Sequence, residues 1–266
     1  MSPKEASLID PVNRMFLECC AKAIDDSGYG KDGVKGSSTG VFLGYTSSVG
    51  NAYSRLIYEL DPHMFAESLA VSQPSMAASR VAYVYDLKGP SMVLDTACSS
   101  THVAIHMACE QIRMGRCRMA LAGGASVTQT PFAEGFSVGF ESEEYITRTF
   151  SEQSTGSAIA EGVGVLLLKG VKEAIKDGDP IYAVIKGTAI NQDGSSFGIA
   201  APNYLAQAEV IQEAWKSAGI TADDVSYIEA HGTGTQLGDP IEVNGITTAF
   251  RTQTEARQIC GIGSVK

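Results

Sequence analysis

Long apolar runs, CxxC cysteine pairs and an excess of basic charge are all missing from this 266-residue sequence. No apolar stretch approaches the ~20 residues a bilayer-spanning helix needs. The amino terminus, MSPKEASLIDP, also lacks the basic start and apolar core of a secretory leader. Of six cysteines only Cys19 and Cys20 lie close together. With no CxxC pair and no Cys/His spacing of the zinc type, neither a disulfide framework nor a metal site is expected, and the chain reads as one from a reducing cytosol. A count of 20 basic against 30 acidic residues gives a formal charge of −10. That excess argues against nucleic acid or an anionic membrane as main partner and leaves any partner to dock on local basic patches. Gly123-Gly124 and Gly187 have neither the P-loop lysine nor dinucleotide-fingerprint spacing, so no nucleotide or other bound cofactor is expected. There is no solenoid-period repeat, low-complexity tract or linker. What remains is a soluble, cytoplasmic globular chain, 44% hydrophobic, with enough apolar content for one substantial core or two similar packed layers.

Its pattern is α/β. Met15, Phe16, Cys19, Ala23 and Ile24 recur at near-helical spacing between Asp10 and Ser27, and Gly28 follows where a helix would stop. Val41 to Gly44 is a short apolar run bounded by glycines, as a buried strand would be, and a mostly helical region is expected from about Tyr53 to Asp86. Ser91 to Asp95 reads as a strand leading straight into Thr96-Ala97-Cys98-Ser99-Ser100 and a helix ending at Arg113. Further strands are expected at Met119–Gly123, Val163–Lys169, Tyr182–Gly187 and Val225–Ala230, with helices at Leu205–Ala218 and Pro240–Arg251. Phe132 to Thr155, without period, is expected as surface loops.

A cysteine at a strand-to-helix junction meets the unpaired first-turn N–H groups and the positive end of the helix dipole, both of which favour its thiolate. The same N–H groups can hold the oxyanion formed when that thiolate attacks a thioester. Spacing alone leaves Cys98 open between such a nucleophile and a small residue filling a tight junction. In Glu229-Ala230-His231-Gly232-Thr233-Gly234-Thr235 a strand ends in a loop whose histidine can point into a cleft. Small neighbours there admit a thin substrate, and threonine hydroxyls can hold its amides. Spacing alone leaves this segment open too, between a site and a flexible turn with His231 exposed.

Asp95 to Ser100, DTACSS, closely resembles the active-site motif of β-ketoacyl synthases of modular polyketide assembly, and EAHGTGT resembles their first-histidine motif. Asp10-Pro11, Val163–Lys169, Asp177–Pro180, Asn191–Gly194, Ala201–Asn203 and Glu229–Pro240 extend the resemblance over nearly the whole chain, in order. It implies a thiolase-like layered αβαβα fold, usually dimeric, represented here by a partial domain over 1–266. About 1–170 would be most of the amino-terminal half and about 171–266 the start of the other, with the first glycine-rich strand and much of the second half missing. By the same resemblance Cys98 carries the acyl chain, and His231 assists decarboxylation of a malonyl unit and stabilises the enolate. Thr233 and Thr235 contact the phosphopantetheine arm of an acyl carrier protein, the expected partner. Gly263-Ser264-Val265-Lys266 resembles the start of a third motif, so Lys266 is its lysine. The second catalytic histidine and the Gly/Phe-rich loop of the family do not occur in this sequence, which leaves the isolated chain's activity open. A non-condensing binding fragment and a half-site completed by another chain are the alternatives. An apolar strand at Ile259–Val265 with unpaired edges is expected to favour aggregation or a partner.

The sequence departs from the family pattern in three places. His102, one helical turn beyond Cys98, takes a usually apolar position, where it either perturbs the thiol or packs beside the helix. Ser151 replaces an acidic residue after Arg148-Thr149-Phe150. Ser157 to Glu161, SAIAE, resembles the variant of assembly lines served by separate acyltransferases. Gly36-Ser37-Ser38-Thr39-Gly40 fits a serine-hydrolase pattern but precedes a strand, so it is read as a loop. His106 and Met107 read as core or interface residues and His63 as a turn residue.

Overall fold

The computed structural model describes residues 1–46, 52–127, 139–196, 198 and 201–266. The chain forms two compact units, Met1–Phe132 with Glu161–Val184, and Ala133–Ala160 with Ile185–Lys266. The first contains α1 (Pro3–Leu8), α2 (Pro11–Asp26), α3 (Gly30–Val34), β1 (Thr39–Gly44), α4 (Ala52–Leu60), α5 (Phe65–Val71), α6 (Pro74–Tyr85) and β2 (Ser91–Leu94). It continues with α7 (Ser100–Arg113), β3 (Met119–Ser126), β4 (Gly162–Lys169) and α8 (Val171–Asp177). Its sheet has the order β2-β1-β3-β4, with β1 parallel to both neighbours and β4 antiparallel to β3.

Side chains alternate across a strand, and here both faces are covered. Val41, Leu43, Met119 and Leu121 meet Phe16, Cys20 and Ile24 of α2 and Ala77, Ala78 and Val81 of α6. Phe42, Ala120 and Ala122 turn the other way, onto Ala104 and Ala108 of α7. This is why the sequence of β1 is a continuous apolar run: all six of its residues are buried. Each large side chain enclosed in this way contributes about 1.5–3 kcal/mol.

The alanines let α7 lie close on the sheet, and Gly44 and Gly124 let its first turn sit closer still. A Cβ on Gly44 would stand 2.5 Å from both the Ser100 carbonyl oxygen and the Thr101 nitrogen, which are backbone atoms that cannot step aside. One on Gly124 would overlap the Thr101 hydroxyl. At the other helix-bearing face, Asp10 opens α2 by accepting from the Val12 amide at 2.7 Å, with Pro11 in the first turn.

Where β4 meets α8, Lys169 is nearly enclosed and bonds Asp177 at 2.6 Å, Asp179 at 2.5 Å and the Tyr29 hydroxyl at 2.5 Å. Burial alone would lower the lysine pKa, but the hydrogen bonds Lys169 donates to Asp177, Asp179 and Tyr29 override it and hold the ammonium above its ordinary range. Asp177 lies below its ordinary 3.8 because Lys169, and then Arg118, bond its carboxylate.

The second unit contains α9 (Tyr204–Ala218), β5 (Tyr227–Glu229), α10 (Gly238–Arg251) and β6 (Gly261–Gly263), with β5 and β6 parallel. Asn203 caps α9 by accepting from the Leu205 amide. Ala208, Trp215, Ala222, Ala249 and Phe250 form its core, and the Trp215 and Phe250 rings meet edge to face at 5.0 Å.

The expected strand at Tyr182–Gly187 is corrected by the structure. No ladder forms there, and Tyr182 and Val184 are exposed. An alternating sequence becomes a strand only when a second backbone pairs with it, and none of the described residues does. The expected strand over Ile259–Val265 pairs only at Gly261–Gly263. Of the expected 132–155 loop, 139–155 is turns and irregular chain apart from a bridge of Glu141 to Ser157; 132–138 lies outside the described residues. The serine of the hydrolase-like pattern sits in the loop before β1, as expected.

Two outcomes follow from this packing. Gly44→Ala should lower stability by about 1–3 kcal/mol in urea unfolding, the cost of forcing a packed element to move. The Asp177 contribution is complete above the unfolded carboxyl pKa and drains away as pH falls through the depressed folded value. The thermal midpoint should therefore drop below about pH 4, and Lys169→Met should make that drop shallower.

Candidate active site

Cys98 lies between the end of β2 and the start of α7, in a single 3-10 turn over Ala97–Ser99, and it is exposed. β1 and β2 run parallel into this edge, the carboxyl end of the sheet, where open α/β folds place their ligands. The turn is held from several sides. Asp95 Oδ1 accepts from the Ala97 amide at 3.1 Å and the Thr46 hydroxyl at 2.7 Å. The Ser100 side chain, buried at 4% exposure, accepts from the Thr96 amide at 2.8 Å and donates to the Ala97 carbonyl at 2.7 Å. Ala97 itself takes φ +53°, the left-handed region that costs a residue with a Cβ about 1–2 kcal/mol. The Cys98 amide makes no hydrogen bond among the described residues. Exposed thiol and unspent N–H thus sit at one junction, the arrangement thioester attack requires. His102 is exposed on α7, His106 is half-buried, and His63 lies exposed in a 3-10 turn.

The second unit presents the other four predicted residues. His231 follows β5, and its loop is clamped by carboxylates of α10. Glu242 accepts from the His231 and Gly232 amides at 2.7 and 2.9 Å. Asp239, buried, accepts from the Gly234 amide at 3.0 Å and the Phe150 amide at 2.7 Å. The loop carbonyls are met as well: Thr149 donates to Gly232 at 2.7 Å, Ser157 to Thr233 at 2.5 Å and the Gly156 amide to Gly234 at 2.8 Å. Gly232 has φ +51°, and a Cβ there would strike Ser264, so no other residue fits without strain. Thr233 and Thr235 face each other, hydroxyl to hydroxyl, at 2.9 Å.

Lys266 Nζ lies 2.8 Å from His231 Nδ1. An ammonium has three donors and no acceptor, so Nδ1 must accept, and in a neutral ring the proton then sits on Nε2. Both side chains are exposed. The structure therefore brings Lys266 to His231 and Thr233 to Thr235, while Cys98 stands in the other compact unit. Sequence reasoning missed Glu242, Asp239, Thr149 and Ser157. The available signal was the acidic pair at i and i+3 in a helix start just after the loop, where carboxylates meet free amides.

With this geometry in view, residues 1–174 match the family profile Beta-ketoacyl synthase, N-terminal domain, and residues 182–266 match Beta-ketoacyl synthase, C-terminal domain. The chain belongs to the β-ketoacyl synthase family. Among other members, Polyketide synthase PksN of Bacillus subtilis (strain 168) is 45% identical over 274 residues, covering 100% of this chain and 5% of that protein. Erythronolide synthase EryA3 of Saccharopolyspora erythraea is 41% identical over 269 residues, covering 100% and 8%. The ketosynthase from module 6 of the bacillaene synthase from Bacillus subtilis 168 superposes with TM-score 0.90 at 37% identity, covering 100% of this chain and 46% of that one. An oxazolomycin ketosynthase domain from Streptomyces albus JA3453 gives 0.88 at 38%, with the same coverage. The chain thus spans less than half of these solved ketosynthases and a small fraction of the curated synthases. The thiolase-like fold expected from the sequence is the fold it has. No helix among the described residues is long and apolar enough to cross a membrane, and no group of three or more His, Cys, Asp or Glu among them is arranged to hold a metal.

Removing the buried Asp239 side chain strands two amides that now bond a charged acceptor. Asp239→Ala should therefore cost about 3 kcal/mol in urea unfolding, about 1.5 for each bond lost.

Proposed function

We propose that this chain supplies the acyl-accepting cysteine and the first histidine of a decarboxylative Claisen condensation in polyketide chain elongation. The observation that carries the reading is the exposed Cys98 at the carboxyl edge of the parallel strands, its own amide making no hydrogen bond among the described residues. In the first step the Cys98 thiolate attacks the thioester carbonyl of an acyl group on the phosphopantetheine of an acyl carrier protein. A new sulfur–carbonyl bond forms, the pantetheine C–S bond breaks, and the leaving thiolate takes up the proton that Cys98 gave up. The Cys98 N–H holds the oxyanion in between.

In the second step a malonyl thioester loses carbon dioxide, and its enolate carbon attacks the acyl-cysteine. The new C–C bond forms as the Cys98 thiolate leaves. His231 donates from Nε2 to the enolate oxygen, and Lys266 fixes that tautomer by occupying Nδ1. Thr233 and Thr235 present hydroxyls to the amides of the pantetheine arm. No resident cofactor takes part, and substrates arrive on a carrier protein. Family resemblance supports a homodimer.

Incubation with butyryl-pantetheine, followed by intact mass, should add one butyryl group to the parent and none to Cys98→Ala. Absence of the adduct on folded parent protein would overturn the acyl-acceptor reading and favour a carrier-binding fragment.

A further inference from the structure

The turn that presents Cys98 contains a backbone conformation its own sequence disfavours. Ala97 has a Cβ yet sits at φ +53°, and such a state persists only where the surroundings over-determine it. Relaxing it would swing the next peptide, the one that carries the Cys98 N–H. Part of the restraint is local: Ser99 donates to the Thr96 carbonyl, and Ser100 bonds on both sides of the Thr96–Ala97 peptide. One restraint comes from another strand. Thr46, two residues beyond β1, donates to the same Asp95 oxygen that receives the Ala97 amide.

We propose that Thr46 and Asp95 form a positioning pair that holds the left-handed turn at Ala97 and so keeps the Cys98 amide aligned with its thiol. The proposal rests on the acyl-acceptor reading of Cys98. Without the Thr46 hydroxyl, Asp95 is free to rotate about its side-chain torsions, and the Ala97 amide loses a fixed acceptor. The pair is exposed, so it adds little to global stability; its effect falls on geometry at the thiol. Two reactions of that thiol separate the possibilities. Alkylation by iodoacetamide needs only an accessible thiolate, whereas acylation by butyryl-pantetheine also needs the N–H in line with the developing oxyanion.

Thr46→Val should slow acylation about fivefold, the worth of one ordinary hydrogen bond, while leaving the pH profile and rate of Cys98 alkylation and the thermal midpoint unchanged. Thr46→Ser, which restores a hydroxyl, should acylate at the parent rate. Asp95→Asn, which keeps an acceptor oxygen, should retain most of it. Equal acylation of the parent and Thr46→Val would overturn the pair and leave the acyl-acceptor reading standing. Parallel loss of acylation, alkylation and thermal stability would also overturn it, by making Thr46 merely structural. A folded parent that is alkylated at Cys98 but never acylated would overturn the acyl-acceptor reading and the pair together.

Discussion

The approach of one helix end to two strand ends governs the first unit. α7 can begin over β1 and β3 only because Gly44 and Gly124 leave room for Ser100 and Thr101. That contact fixes where the helix starts, and the connection from β2 must then turn within Asp95 to Ser99. So short a link leaves few conformations, and the one adopted puts Ala97 in the left-handed region and Cys98 outward. The alanine-rich interface behind it, Ala104 and Ala108 against Ala120 and Ala122, keeps the helix at the distance the glycines require. The exposed position of Cys98 is therefore a consequence of close packing two layers deep.

The second unit reaches a rigid loop by different means. Its histidine loop lies outside the apolar cluster around Trp215 and Phe250, and its backbone groups are fixed one by one. Asp239 and Glu242, in the first turns of α10, supply acceptors where the helix end is positive, and residues 149–157 supply donors from the other side. Buried charge is tolerated at Asp239 because both oxygens are bonded to amides. The result is a loop whose backbone has little freedom, with the His231 side chain exposed and the half-buried Thr233 and Thr235 hydroxyls bonded to each other.

Most of the first unit was legible because its signals are local. Asp10-Pro11 announces a helix start, GVFLG a buried strand, and a strand running into DTACSS announces a junction; all three are formed as read. What escaped was whatever depends on a distant partner. Tyr182–Gly187 has strand composition, but no strand among the described residues pairs with it. Glu242 and Asp239 lie several residues beyond the histidine they support, and Ser157 acts across 76 residues on the Thr233 carbonyl. No periodicity encodes such a bond. The Thr46–Asp95 contact, spanning 49 residues, belongs to the same class.

The six cysteines show how one fold sets a single exposed thiol apart from five enclosed or partly enclosed ones. Burial pushes the thiols of Cys20, Cys109, Cys117 and Cys260 up, away from the thiolate. Cys19 spends its sulfur on the Val163 carbonyl at 3.6 Å. Cys98 alone among the six is exposed, and it is also the one just before a long helix, its amide making no hydrogen bond among the described residues. Desolvation suppresses ionisation at Cys20, Cys109, Cys117 and Cys260, while Cys98 lies exposed just before the first turn of a 14-residue helix. The exposure of one sulfur therefore needs no device of its own: it follows from which cysteines the core encloses and which one the glycine contacts leave at the rim.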